Sequence, residues 1–228
     1  TLQAEKDTGQ LTLPFEAVEE AAPPTGLDEF VNQEQLDKLP KATASRILQA
    51  IQLFRHYENK KDLIFSPVFT PLQGPIDVCA EDIVFNLLVD DIPKSETAQK
   101  DYFQPYIDLP KRRTDFLLKH AMLIQKLLVY NAAVMPTTVL RFCLDYAGSK
   151  EDHIGGVFES IRKNFSKLKD PTLLDELVDV YEFRNNYVAH QNEELKDLEQ
   201  TRKALKKWIA LTIRLEEISS SISENMNL

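Results

Sequence analysis

Glycine, cysteine and long apolar runs are scarce in this chain of 228 residues. Only six glycines and two cysteines occur, and no apolar run approaches the ~18 residues that a membrane-spanning helix needs. The cysteines, Cys79 and Cys143, stand in apolar patterns without a CxxC pair or a neighbouring histidine ligand. We therefore expect two buried, reduced thiols rather than a disulfide, a cytoplasmic location, and no metal, cofactor or membrane partner.

Several common enzyme signatures are also missing. The sequence has no HExxH motif and no serine in a nucleophile elbow, and "GSKEDHIGG" lacks the lysine placement of a P-loop. The first residues, "TLQAEKDTGQ", have no initiator methionine, no charged n-region and no apolar h-region. They predict no signal peptide, and we expect the chain to be a piece of a longer protein.

The negative charge of the chain is concentrated near its start. Residues 1–40 carry nine acidic and two basic residues, whereas residues 41–228 carry 27 acidic and 25 basic residues and are nearly neutral. The formal net charge of −9 for the whole chain is therefore weak evidence against a nucleic-acid partner.

Composition divides the chain into three predicted segments. Residues 1–40 contain adjacent prolines and an acidic excess, and we interpret them as an arm or linker in which "LDEFVNQEQLDKL" is a partly ordered connector. Residues 41–112 are a predicted helical subdomain with an extended strap, because "LIFSPVFTPLQGPI" contains three prolines and a glycine that exclude a continuous helix. Residues 113–228 are a predicted helical bundle.

Apolar residues in the second half of the chain repeat at helical spacing. The pattern predicts a long helix from about 114 to 131, and Pro136 and Gly148 mark the start and end of the next one. Two further amphipathic segments and a long closing helix follow. The predicted fold class is all-α, with a bundle of four to five helices in the C-terminal half and an additional N-terminal helical and extended region.

The stretch "YEFRNNYVAH", residues 181–190, lies between the last two predicted helices. Asn185 and Asn186 tolerate left-handed backbone and predict a helix end there. A helix that ends at Arg184, followed closely by one that begins near His190, would place the two side chains together at one end of the bundle.

An arginine and a histidine in that position suit the cleavage of RNA without a metal ion. A guanidinium is permanently charged and offers five donors to phosphate oxygens, and an imidazole exchanges a proton near neutral pH. The histidine can take the proton of a ribose 2′-hydroxyl while the arginine stabilises charge at phosphorus. The alternative is that Arg184 only complements a helix dipole, that His190 only starts a helix, and that the spacing is chance.

The segment resembles the HEPN superfamily (higher eukaryote and prokaryote nucleotide-binding domains), in which an all-α bundle ends with two helices joined by an R-x(4–6)-H motif. "RNNYVAH" gives Arg184, five intervening residues and His190, with Asn185 at the position where the family often has Asn, Asp or His. The resemblance covers about residues 113–220. It implies a metal-independent endoribonuclease with Arg184 and His190 as catalytic residues, Asn185 orienting or polarising, and an active site shared across a homodimer.

The resemblance also implies a biological setting and its alternatives. HEPN domains occur in toxin–antitoxin pairs, phage-defence systems and CRISPR effectors, often fused to larger proteins. Some members have lost catalysis and act as binding or dimerisation modules. The chain is thus also interpretable as an interaction module that docks on an antitoxin or a larger partner, or as an accessory domain of a restriction or helicase protein that recognises nucleic acid without cutting it.

Two basic clusters are candidate RNA-binding surfaces, because RNA binding needs positive charge along the backbone. Tyr187 joins them as a possible contact to RNA or to a dimer partner, whereas Phe165 falls on the predicted core face and is not a stacking platform. The alternative for both clusters is a solvated helix face balanced by nearby acidic residues. The cluster residues are Arg162, Lys163, Lys167 and Lys169, and Arg202, Lys203, Lys206 and Lys207.

Overall fold

The computed structural model describes residues 26–60, 64–150, 154–168, 170, 172–189 and 194–226. Within these ranges the chain is helical and has no β-strand, so the predicted all-α class is confirmed. The part of the predicted arm that spans residues 1–25 lies outside the described residues. In the described ranges, no helix combines the length and apolar character that a membrane crossing requires.

Nine α-helices follow one another in this part of the chain. The 3₁₀ segment Leu27–Glu29 precedes the first of them, and two further 3₁₀ segments (Ser66–Phe69 and Val89–Asp91) and one π-helix (Arg184–Ala189) lie between them. The helices are α1 (Gln33–Asp37), α2 (Lys41–Glu58), α3 (Thr70–Leu88), α4 (Glu96–Phe103), α5 (Lys111–Leu128), α6 (Pro136–Gly148), α7 (Val157–Phe165), α8 (Leu173–Phe183) and α9 (Leu198–Met226).

Helix α3 is the centre of the packing. It contacts α2, α6, α7 and α9, and residues on several of its faces are buried. One cluster of buried apolar residues extends from Leu27 to Leu215. Residues before and after position 112, the predicted segment boundary, therefore belong to the same hydrophobic core. The buried residues of α3 are Pro71, Leu72, Ile76, Cys79, Ala80, Ile83, Val84 and Leu88.

Helix α3 also begins inside the segment predicted to be an extended strap, and that prediction is wrong. Pro71 lies in the first turn, where backbone N–H groups have no acceptor within the helix. Pro75 lies inside the helix and removes one intrahelical hydrogen bond, at a cost of about 3 kcal/mol. Each large aliphatic side chain that α3 buries contributes about 1.5–3 kcal/mol, so the burial outweighs the cost of one proline.

The predicted connector after Gly26 is also ordered, and it docks on the body of the protein. Asn32 begins α1 with a reciprocal cap, in which its Oδ1 accepts from the Gln35 N–H at 2.8 Å and Gln35 Oε1 accepts from the Asn32 N–H at 3.2 Å. Leu27, Val31 and Leu36 are buried. Three apolar anchors and a satisfied helix start replace the partly ordered connector that the sequence predicts.

A cluster of ion pairs fastens this segment to α2 and α9. The Glu29 carboxylate lies 2.6 Å from Arg55, 3.2 Å from Arg202 and 3.5 Å from Lys206. Arg55 and Arg202 also reach Glu58, at 2.9 and 3.6 Å. Burial raises the pKa of Glu29, but the Arg55 hydrogen bond and the surrounding cations outweigh it and hold that pKa below its usual value.

The two cysteines are free and buried, as predicted. Cys79 lies on α3 and Cys143 on α6. Burial raises the pKa of both thiols well above the usual range, and the nearby Glu216 carboxylate adds to the effect at Cys79. Both are thus in the protonated, unreactive form at neutral pH.

Gly156, at the start of α7, is the position most sensitive to an added methyl group. Its backbone is left-handed (φ 64°, ψ −139°), and a β-carbon there would collide with the carbonyl oxygen of Tyr102. Gly155, next to it, has open space around the corresponding position. The pair therefore provides a matched test of how α7 packs beside α4.

We expect Gly156→Ala to lower the free energy of unfolding by more than about 1 kcal/mol, because an L side chain is strained at this φ and clashes with backbone. Gly155→Ala should change it by no more than about 0.5 kcal/mol. Urea denaturation followed by circular dichroism measures both. Equal losses in the two variants would contradict the close approach of α7 to Tyr102.

Candidate functional site

The α-helical part of the helix that carries the Arg-x₅-His motif ends at Phe183, with Arg184 as its C-cap, close to the end predicted at Arg184. The chain then continues as the π-helix Arg184–Ala189, and Asn185 and Asn186 do not adopt the left-handed backbone that their residue type tolerates. π-Helical turns are rare and frequently occur at functional sites. His190 lies outside the described residues, and its proximity to Arg184 stays a prediction.

Tyr187 holds the π-helix against the rest of the chain. Its ring lies 4.9 Å from that of Phe183, its carbonyl oxygen accepts a hydrogen bond from the Ser66 hydroxyl, and its own hydroxyl accepts one from Gln200 Nε2 at 3.0 Å. The side chain is half-buried among these partners. These tertiary contacts account for helical backbone where the asparagines favour a break, and the predicted role of Tyr187 in RNA binding stays a prediction.

Arg184 is half-buried and faces the interior corner between α3, α6, α8 and α9. Its Nη1 donates to the thioether sulfur of Met135 at 3.4 Å, and no carboxylate of the described residues forms an ion pair with it. The side chain lines a small cavity of about 20 Å³. The cavity wall also includes Gln73, Asp77, Thr137, Tyr181 and Trp208.

Asp77 on α3 places a half-buried carboxylate in the same cavity. The Thr137 hydroxyl donates to its Oδ1 at 3.1 Å. Burial raises the pKa of Asp77, and the Thr137 hydrogen bond and the Arg184 charge oppose that shift without cancelling it. Trp208 also lines the cavity, and its buried Nε1–H has no acceptor within the described part of the chain. The corner therefore combines a cation, a carboxylate whose pKa is raised, and a donor without an acceptor.

Tyr181, one turn before Asn185, links the motif to α6. The Asn185 side chain hydrogen-bonds its hydroxyl and is the main reason that the pKa of Tyr181 falls below its usual value, and Arg141, Thr138 and Arg184 act in the same direction. The Arg141 guanidinium lies 4.2 Å from the centre of the Tyr181 ring. Asn185 is thus held by Tyr181, and two arginines flank the phenol.

The first predicted RNA-binding cluster lies far from Arg184. Lys163 pairs with Asp91 at 3.4 Å, just beyond the C-terminal end of α3, whereas Asp77 lies in the N-terminal half of that helix, about 20 Å away at the helical rise. Arg162 packs on the Tyr146 ring at 5.4 Å, and Lys167 donates to Asn164 at 3.4 Å. Lys169 lies outside the described residues. Phe165 is buried, as predicted.

The second predicted cluster lies near the π-helix, because Lys203 is one turn beyond Gln200, the partner of Tyr187. Arg202 and Lys206 belong to the ion-pair cluster around Glu29, and Lys207 pairs with Asp179 of α8. Lys203 is exposed and has no carboxylate partner among the described residues. It lines a groove between α8 and α9. Like Lys203, Lys167 of the first cluster forms no ion pair with a described carboxylate.

The sequence analysis missed the residues that surround the motif. Asp77, Thr137, Thr138, Arg141 and Tyr181 come from three helices, and packing alone brings them together. Tyr181 had a signal, because it precedes Arg184 by three positions and Asn185 by four and so shares their helix face. Asp77 had none, because its segment was predicted to be extended.

Replacement of Asp77 by asparagine should stabilise the protein at neutral pH. The raised pKa means that the folded state holds the proton more tightly, so stability falls as pH rises from the unfolded value of 3.8 through the folded pKa. Asparagine retains the acceptor for Thr137 without the buried charge. We expect a higher Tm than the parent at pH 7, with the difference vanishing at pH values below 3.8.

Thermal unfolding monitored by circular dichroism across this pH range measures the effect. Asp101→Asn, at an exposed position on α4, is the matched control and should leave the pH dependence of Tm unchanged. A lower Tm for Asp77→Asn at pH 7 would mean that the attraction between Asp77 and Arg184 exceeds the cost of burying the carboxylate.

Among the described residues there is no group of three or more His, Cys, Asp and Glu side chains placed to hold a metal ion. In comparisons with known proteins, no family model, no curated protein and no solved structure matches this chain.

Proposed function

We propose that the chain is a metal-independent endoribonuclease of HEPN type, with Arg184 and His190 as its catalytic residues. The proposal rests on the Arg-x₅-His spacing, on the all-α fold that carries it, and on the surroundings of Arg184. RNA is the proposed substrate, and a second copy of the chain is the proposed partner that completes the active site.

The chemistry divides between the two side chains. His190 accepts the proton of a ribose 2′-hydroxyl, and the 2′-oxygen attacks the adjacent phosphorus. Arg184 stabilises the negative charge that develops on the phosphoryl oxygens. The bond to the 5′-oxygen then breaks, and the protonated His190 returns its proton to that leaving group. The products are a 2′,3′-cyclic phosphate and a 5′-hydroxyl, so no water or metal ion enters the cleavage step.

The observation that carries the proposal is the state of the Arg184 guanidinium. It is partly exposed, and within the described residues its one hydrogen-bond partner is a thioether sulfur, which is a weak acceptor. The charges of Asp77 and Arg184 attract each other, but the two side chains form no ion pair. A buried cation normally pairs closely with a carboxylate, whereas this one retains donors that a phosphate oxygen can satisfy.

The position of Asn185 also supports the proposal. Its amide acts on the Tyr181 hydroxyl, and it lies next to Arg184 on the π-helix. An amide dipole that is already oriented beside the reacting phosphate costs little reorganisation during the reaction. This is the orienting or polarising role that the HEPN resemblance implies for Asn185.

Arg184→Ala and His190→Ala should each reduce RNA cleavage at least about 100-fold, the typical effect of losing a general base or a charge-stabilising donor. Incubation of the full chain with total RNA in EDTA, followed by electrophoresis and end-group analysis, measures the rate and the cyclic phosphate product. Arg46→Ala, an exposed arginine on α2, is the matched control and should cleave at the parental rate.

Cleavage that persists in both variants, or that stops when EDTA is added, would contradict the proposal. Circular dichroism of each variant separates loss of catalysis from loss of fold.

A second candidate function is a helical interaction module without catalysis. The observation that favours it is the neutralisation of four of the eight predicted RNA-binding cations, since Lys163, Arg202, Lys206 and Lys207 all face carboxylates of their own chain. A full chain that cuts no RNA but binds a protein partner through an exposed surface would establish this alternative.

A further inference from the structure

The outward face of α5, together with the turn that follows it, carries exposed cations and partly exposed apolar side chains. Phe116, Met122 and Tyr130 are 39%, 46% and 63% exposed, and Arg112, Lys119 and Lys126 are exposed between them. We name these six residues the α5 track. The first five recur at three- and four-residue intervals along one side of α5, which is about 27 Å long, and Tyr130 lies two residues beyond its end at Leu128.

The charges of the α5 track are not neutralised within the described chain. Arg112, Lys119 and Lys126 form no ion pair with a described carboxylate, in contrast to four residues of the two predicted clusters. Helix α5 contains five basic residues and a single acidic one, Asp115. The pKa of His120 on the same helix is lowered, chiefly by burial, and the charges of Lys119, Arg141 and Arg113 add to the effect.

The opposite face of α5 is fixed in the core. Leu117, Ala121, Ile124 and Leu127 are buried, and His120 stacks on Phe142 of α6 with ring centres 4.2 Å apart. The helix therefore cannot roll its apolar face into a lipid surface without leaving the bundle. What it offers to a partner is a rigid row of cations and single apolar side chains.

The α5 track leads to the candidate active site. Helices α5 and α6 pack together, and the residues between them end at Met135, whose sulfur accepts the hydrogen bond of Arg184. Tyr130 lies five residues before Met135, so the length of the connecting chain limits the distance between the two residues to about 18 Å. A strand bound along α5 as far as Tyr130 would thus end within about 18 Å of the residue that contacts Arg184.

We propose that the α5 track is the surface that binds single-stranded RNA and delivers it to Arg184. The lysines and Arg112 contact phosphates, and Tyr130 stacks on an unpaired base. The proposal rests on the proposed function for the identity of the polymer as RNA. It replaces the first predicted cluster, whose position at the other end of α3 does not suit the same strand.

Binding of a fluorescein-labelled single-stranded RNA of about 12 nucleotides, measured by fluorescence anisotropy, tests the proposal. The His190→Ala chain is used throughout so that the probe stays intact. The double variant Lys119→Gln/Lys126→Gln should bind about 25-fold more weakly at about 0.1 M salt, and its log–log salt slope should fall by about 1.4, the loss of two phosphate contacts. The matched control Lys41→Gln/Lys94→Gln removes the same charge at exposed positions and should change neither.

Tyr130→Ala tests the stacking contact separately from charge. It should weaken binding about tenfold without changing the salt slope. Tyr106→Ala, at a tyrosine that is 87% exposed outside the α5 track, is its control and should bind as the parent does.

Equal affinity and salt slope in the double variant and its control would overturn the α5 track while leaving the proposed catalysis open. The α5 track would also be overturned if the chain binds no RNA but self-associates or binds anionic lipid vesicles through these lysines. RNA that binds in the predicted manner but is not cut by the parent chain would retain the α5 track and remove the nuclease proposal.

Discussion

The burial of helix α3 on several sides is the constraint on which the rest of the structure depends. It contacts four other helices, so the positions of α6 and α9 are fixed relative to each other through it. Asp77 stands on this helix near the point where α6 and α8 converge. The geometry around Arg184 is therefore set by core packing rather than by the motif itself. The same packing explains why a helix with Pro75 in its interior is stable.

The sequence predicted the fold class and most of the second half, because amphipathic periodicity is strong there. Helix α6 begins at Pro136 as expected, since proline is suited to the first turn. Helix α5 begins three residues earlier than predicted, directly after Pro110. The segment around Pro71 and Pro75 was mispredicted because local propensity favours extended backbone there, and only the tertiary burial of α3 reverses that preference.

The candidate site was predictable only as far as it lies in one stretch of sequence. Arg184 and Asn185 follow from the motif, and the structure describes both. Their neighbours Asp77 and Arg141 lie 107 and 43 positions earlier in the chain, and no local pattern connects them. The same reason explains the neutralised cations, because Arg202 meets Glu29 and Glu58 only after α2 and α9 pack. A basic cluster in a sequence shows charge, but not whether folding supplies its counter-ion.

The two buried thiols can report on local unfolding of the protein. Cys79 sits on α3 and Cys143 on α6, and each becomes reactive only when its helix leaves the core. The alkylation rate at each position therefore reports how often the helix that carries the thiol opens in the native ensemble. If both sulfurs react at one common rate, residues on either side of position 112 unfold as a single cooperative unit; two distinct rates would identify two units within one continuous hydrophobic interior.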